Sequence, residues 1–275
     1  MDSVELWSGK DRADENFPVG SWLIRRDLRA HVHAFYAFAR NADDIADSAQ
    51  LSAEDKIARL NVMEAVLLGS RDGGSPSAAG LRVSLAQTGV SAAHACDLLR
   101  AFRRDATKTR YANWNELYDY CRFSAMPVGR HVLDLHGEAP RTHAPSDALC
   151  VALQVLNHLQ DCARDLAALD RCYLPADRLA KHGAAVTDLQ RPVETPGLRR
   201  VFGELLDHVD ALNKTAASLP GGVRDWRLRV ETAGIVNLSR ALATRLRRGD
   251  PLATRVKLSR GDMVFSLATA MKSLL

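Results

Sequence analysis

Asp43, Asp44 and Asp47 fall within NADDIAD, residues 41–47, directly after the largely apolar run HVHAFYAFAR. Far downstream, QVLNHLQDCARD places Asn157, Asp161 and Asp165 at i, i+4 and i+8. Four residues of helix advance roughly 400°, so these three side chains share one face with about 40° of drift per step. Asp43 and Asp47 stand in the same relation, while Asp44 points about 100° away. The alternative reading is two solvated outer faces, on which acids four apart are common. Like charges at that spacing cost an isolated helix a few tenths of a kcal/mol, and neither face carries a Lys at i+4 to relieve them. Two such faces in one chain favour a shared purpose.

Stacked carboxylate and amide oxygens are hard ligands suited to Mg²⁺, which keeps several waters and takes one or two carboxylates plus substrate phosphate oxygens. The metals would neutralise a departing diphosphate. The cation left behind would need an apolar, aromatic cavity, and the helices that carry the acids have the residues to line one. The expectation is that the two acidic faces look onto one such cavity.

The elements that must hold these residues read as helices almost throughout. Asp27 is placed to cap a helix over 28–47, and Ser52 caps one that closes before Gly69. RDGGSPSAAG reads as a surface loop. Two more helices follow, one stopping near Gly89 and the next capped by Ser91. Asn113 opens a long helix over 114–137, in which Pro127 should kink the axis or open its hydrogen bonding. Ser146 is the expected cap of a helix over 147–170. After CYLP comes an irregular stretch, then helices near 197–218, 223–248 and 259–274. No composition shift or internal repeat divides the chain, so residues 1–275 read as one all-α domain.

The chain is 47% hydrophobic and 25% charged, with a net charge of +4 and a pI near 8.9. A mildly basic balance suits an anionic substrate or an acidic membrane surface. The arginines are scattered, which argues against nucleic acid. Five cysteines without a C-x-x-C pair and a charged N-terminal stretch point to a reduced, cytoplasmic protein with free thiols. No apolar run is long enough to span a bilayer. Peripheral contact with the inner face of the membrane stays open, although no amphipathic segment stands out. The pattern specifies no oligomeric state. HVLDLH has its histidines at i, i+5, which matches no zinc spacing, and Cys162 beside Asp161 reads as a packing residue. No G-x-G-x-x-G follows a strand, so a Rossmann nicotinamide site is absent.

RNADDIAD and NHLQDCARD, with YAFAR, YCRFSAMPVG and RCYLP at their places between and around them, resemble the motifs of the squalene and phytoene synthases over nearly the whole chain. Within that family DENFPVGSWL, CRFSAMPVG and LQDCARD look most like the hydroxysqualene synthases of bacterial hopanoid biosynthesis. The resemblance implies an isoprenoid synthase fold, a helical bundle around a central cavity. It implies a carbon–oxygen lyase that ionises presqualene diphosphate with Mg²⁺, rearranges the cation and quenches it with water. Asp43, Asp47, Asn157, Asp161 and Asp165 would be catalytic metal ligands. Phe17, Tyr36, Arg40, Asp44, Tyr120, Arg122, Gln154, Tyr173 and Arg255 would bind substrate, with Phe17 walling the reacting centre and Arg40 and Arg255 at the diphosphate. Arg122 also fits an ordinary surface arginine.

The chain departs from the wider family in having Ala13, Asp14, Glu15 and Asn16 before Phe17, and Leu238 where a tyrosine is common. Both departures point away from phytoene or dehydrosqualene synthesis. Glu15 or Asn16 would hold the quenching water, or else these residues only cap the first helix. Two other readings stand beside this one. One is a head-to-head prenyl transferase making presqualene diphosphate, squalene or phytoene. The other is a non-catalytic assembly protein on the same fold.

Overall fold

The computed structural model describes residues 3–6 and 23–272. Among them the regular structure is helical, with one isolated bridge, Arg110 to Cys172, in place of any strand. The chain gathers into two compact units.

The first unit takes residues 1–108 and 127–138. It contains α1 (Arg29–Asp47), α2 (Ala53–Leu67), α3 (Pro76–Thr88) and α4 (Ala93–Asp105). α1 packs on the other three, and Phe35, Phe38 and Ile45 meet Leu60, Met63, Leu81, Leu98 and Leu99 in one core. Ser52 caps α2 through the Asp55 amide, as expected. Ser75 and Pro76 cap and begin α3 within the stretch read as a loop, which is therefore half helix. Serine followed by proline at the first helical position is a start signal that the clustered glycines obscured. The Glu5 carboxylate accepts from Ser75 Oγ and from Ser77 N and Oγ, at 2.6–2.7 Å, and so sits at the positive end of α3. Asp27 does not cap α1. Its carboxylate is taken by Arg25 at 2.5 Å, and Leu28 occupies the cap position without a side-chain bond.

The second unit takes residues 109–126 and 139–275. The expected long helix breaks into α5 (Trp114–Ser124) and α6 (Met126–Leu135), with Asn113 capping α5 through the Glu116 amide. The break at Ala125 comes just before Pro127, whose ring excludes the carbonyl four residues back, and it coincides with the passage of the chain from one unit to the other. α7 runs from His143 to Leu169, so Ser146 is a buried residue within it and not its cap. A 3₁₀ turn over Pro140–Thr142 leads straight into the helix and supplies its start. α8 (Ala176–Lys181) and a 3₁₀ turn over Val186–Gln190 fill the irregular stretch. α9 (Pro196–Ala216), α10 (Leu219–Gly222), α11 (Trp226–Arg248) and α12 (Arg260–Lys272) follow. α7 packs against α5, α9 and α11, and α11 carries α12.

Candidate functional site

α1 presents its acids from the end of an apolar helix in the first unit. Ala42, Ile45 and Ala46 are buried, which fixes the rotation of the helix. Asp43 and Asp47 are half-buried on one face. Asp44, about 100° away, turns inward, its side chain 3% exposed, and accepts from Arg40 at 2.6 Å. Arg40 also reaches Asp43 at 3.2 Å. The guanidinium expected at a diphosphate is thus already held by two carboxylates of its own helix. Tyr36 lies one turn before Arg40 and is half-buried.

α7 carries the other set in the second unit. Its 27 residues are unbroken, so Asn157, Asp161 and Asp165 do share a face, each half-buried. The neighbours on its inner face, Val155, Leu156, Leu159 and Cys162, are buried and hold the helix in that rotation. The Asp161 side chain is 13% exposed. Arg255 grips it with two bonds, Nε to Oδ1 and Nη2 to Oδ2, each 3.1 Å. Arg164 adds a contact at 3.2 Å. Next to Arg255, the Val256 carbonyl accepts from Gln160 Nε2 at 2.6 Å, which pins that segment to α7. α7 ends at Asp170, in the left-handed conformation (φ 50°) that aspartate tolerates better than most residues. Arg110 closes this corner, donating to the Asp170 carboxylate at 2.6 Å and to its carbonyl.

Behind the acids lies an aromatic cluster. Tyr173 stacks on His158 with centroids 3.6 Å apart, and Tyr111, Tyr120 and Tyr173 meet at 5.3–5.7 Å. Tyr120 and Tyr173 are buried in it. The Gln154 amide approaches His158 Nε2 at 3.3 Å. Burial first, then the charge of Arg171, pushes the His158 pKa down to about 3, so the ring is neutral at neutral pH. The sequence singled out Tyr120, Gln154 and Tyr173 as candidates, and not their neighbours Tyr111 and His158 or the Val256 partner Gln160. His158 and Gln160 were offered by position, inside the acidic motif itself, whereas Tyr111 carries no local signal. Arg122 stands on the surface, its side chain 59% exposed and 3.4 Å from Asp119. Phe17, with Asp14, Glu15 and Asn16, lies outside the described residues. Leu238 is buried in α11. Cys162 is buried, its pKa raised by burial to about 12, which fits packing and not nucleophilic chemistry.

Among the described residues no three His, Cys, Asp or Glu side chains converge as a metal group. The donor set fits Mg²⁺ nonetheless. The α1 face offers two carboxylates and the α7 face two carboxylates and an amide oxygen, hard donors of the kind that hold Mg²⁺ when phosphate oxygens complete its shell. Arg40 pairs with Asp43 and Asp44, and Arg255 with Asp161.

The family described as squalene/phytoene synthase matches residues 10–262. A hydroxysqualene synthase of Rhodopseudomonas palustris is 45% identical over 98% of this chain and 92% of its own length. One of Sinorhizobium fredii is 43% identical over 94% and 88%. The crystal structure of a squalene synthase, HpnC, from Alicyclobacillus acidocaldarius superposes with a TM-score of 0.76 at 34% identity, covering 86% of this chain and 90% of that one.

Proposed function

This chain belongs to the squalene/phytoene synthase family, and from that premise we propose that it converts presqualene diphosphate and water to hydroxysqualene and diphosphate. The similarity that carries the product assignment is to relatives named hydroxysqualene synthase, 43–45% identical over 94–98% of this chain. The substrate is then a C30 isoprenoid diphosphate.

Asp43 and Asp47 on α1, and Asn157, Asp161 and Asp165 on α7, are proposed to hold Mg²⁺ for the diphosphate. When bound, the metal supplies Lewis-acid charge stabilisation to the leaving group. Arg40 and Arg255, which pair with Asp43 and Asp161, would bind diphosphate oxygens when those acids hold the metal. A guanidinium suits both partners because its planar fork matches either oxyanion. Tyr120 and Tyr173, packed with Tyr111, are assigned to the aromatic lining that would stabilise the carbocation. His158 supports Tyr173 without adding a positive charge that would oppose that cation, since its ring is neutral. Water then adds to the cation, its oxygen forming the new C–O bond and its proton passing to a nearby base. Glu15 is the proposed base, and Glu15 or Asn16 would hold the water. Phe17 and Tyr36 are assigned to the walls around the reacting carbon.

The test is diphosphate release from presqualene diphosphate and, separately, from farnesyl diphosphate. Release from the first with Mg²⁺, abolished by a chelator and restored by Mg²⁺, is expected. Turnover of farnesyl diphosphate alone would replace this reading with a head-to-head prenyl transferase.

A further inference from the structure

α12, residues Arg260–Lys272, lies on the outside of its unit with large apolar side chains exposed. Its inner side rests on α11, with Ser266 and Ala270 buried one turn apart and Asn237 donating to the Ser266 carbonyl at 3.4 Å. On the other side Val264, Phe265 and Met271 are 69%, 74% and 54% exposed, with Ala268 exposed between them. At about 100° per residue these four fall within roughly a third of the helix circumference. An exposed apolar face of this kind marks an interaction surface.

What adjoins this face is basic. One turn beyond Phe265, Thr269 lines a groove of about 410 Å³ that also contains Arg229, Asn237 and Arg240 of α11. Arg229 uses its Nε on the Val223 carbonyl and Arg240 an Nη on the Asn213 carbonyl, which fixes both side chains at the groove. Lys257 and Arg260 are exposed at the start of α12, and Arg224 at the approach to α11. Trp226, 59% exposed, begins α11 with the Arg227 guanidinium over its ring at 5.2 Å. The acids interleaved with these cations are committed: Asp225 caps α11, and Asp262 binds Ser259 and Arg245. An apolar helix face, an exposed tryptophan and a surplus of cations together complement an anionic lipid surface.

We propose that the outer face of α12 and the Arg229–Arg240 groove beside it dock this protein on an anionic bilayer. Val264, Phe265, Ala268 and Met271 enter the acyl boundary, and lipid phosphates occupy the groove. The helix lies in the membrane plane, because no helix among the described residues is long and apolar enough to cross. This surface extends the proposed function, in which the substrate is itself a lipid, but its test needs no turnover.

The full chain is floated with vesicles of phosphatidylcholine alone and of phosphatidylcholine with an equal part of phosphatidylglycerol, at low and high salt. Flotation is expected with the anionic vesicles at low salt. The double variant Val264→Asp/Phe265→Asp should bind them at least about tenfold more weakly, and Arg229→Gln/Arg240→Gln should lose the preference for anionic lipid. Activity on detergent-dispersed presqualene diphosphate should be unchanged in the aspartate variant, which separates docking from the reaction. If that variant fails to fold by circular dichroism, the glutamine pair and Phe265→Ser carry the same test. Wild type that does not float, or variants that all float like it, overturns the proposal. So does a dimer that the aspartate pair dissociates while no form floats, since the face would then belong to a second copy.

Discussion

Asp43 and Asp44 are adjacent, but the structure gives them different roles. Asp44 is a buried partner of Arg40, so Asp44→Ala should cost about 3 kcal/mol of stability by leaving a buried guanidinium short of a carboxylate. Asp43 is more exposed and shares Arg40 at longer range. Asp43→Asn should therefore keep the melting temperature within a few degrees while turnover falls at least about a hundredfold. Asp161→Asn should behave like Asp43→Asn, with a loss of stability below about 1 kcal/mol because the Arg255 pair is partly solvated. Thermal denaturation beside a diphosphate-release assay checks all three, and full activity in either Asn variant would contradict the metal assignment. From the sequence these acids look mutually repulsive. The structure supplies arginine partners, and so a small loss replaces the gain that relieved repulsion would bring. The Asp161–Arg255 pair spans 94 residues, beyond the reach of helical periodicity. Only the family resemblance brought Arg255 into view.

His158 adds a pH dependence. Its folded pKa, about 3, lies below the unfolded value of about 6.5. The unfolded chain therefore binds the extra proton first, and the stability tied to the neutral ring is complete above pH 6.5 and lost as pH falls toward 3. Compared with His158→Gln, the wild type should lose about 1.4 kcal/mol more per pH unit in the lower part of that window. Denaturant titrations at a series of pH values read this directly, and parallel curves for the two proteins would contradict it.

At the scale of elements, the Ser52 and Asn113 caps could be read from the sequence, whereas Ala92, not the expected Ser91, holds the cap position of α4. Asn113 was legible, and Asn113→Ala should cost about 1 kcal/mol by releasing the start of α5, the helix that bears Tyr120. A melting curve tests it, and an unchanged midpoint would count against the cap. Asp27 and Ser146 failed as caps for tertiary reasons. Arg25 takes the first, and a 3₁₀ turn starts α7 upstream of the second. The face shared by Asn157, Asp161 and Asp165 was legible because it depends only on the helical repeat, and α7 proved continuous through it. The Pro127 break was equally legible, since proline acts on its own helix whatever surrounds it. The stacking of His158 on Tyr173, fifteen residues on in sequence, depends on how the chain returns after α7, and no local pattern specifies that.

For the whole molecule, helix content and the family motifs were enough to anticipate an all-α synthase of this family, and the comparisons agree. The relatives' names divide on one point. The similar proteins of Rhodopseudomonas and Sinorhizobium are called hydroxysqualene synthases, while the similar crystal structure is called a squalene synthase. The difference is chemical: a hydride quench gives the hydrocarbon and a water quench gives the alcohol. The central claim is that this chain uses water, and the direct measurement is mass spectrometry of the C30 product formed from presqualene diphosphate and Mg²⁺, with and without NADPH. Hydroxysqualene in both reactions, at the same rate, is the predicted result. Squalene that forms only when NADPH is added would contradict it.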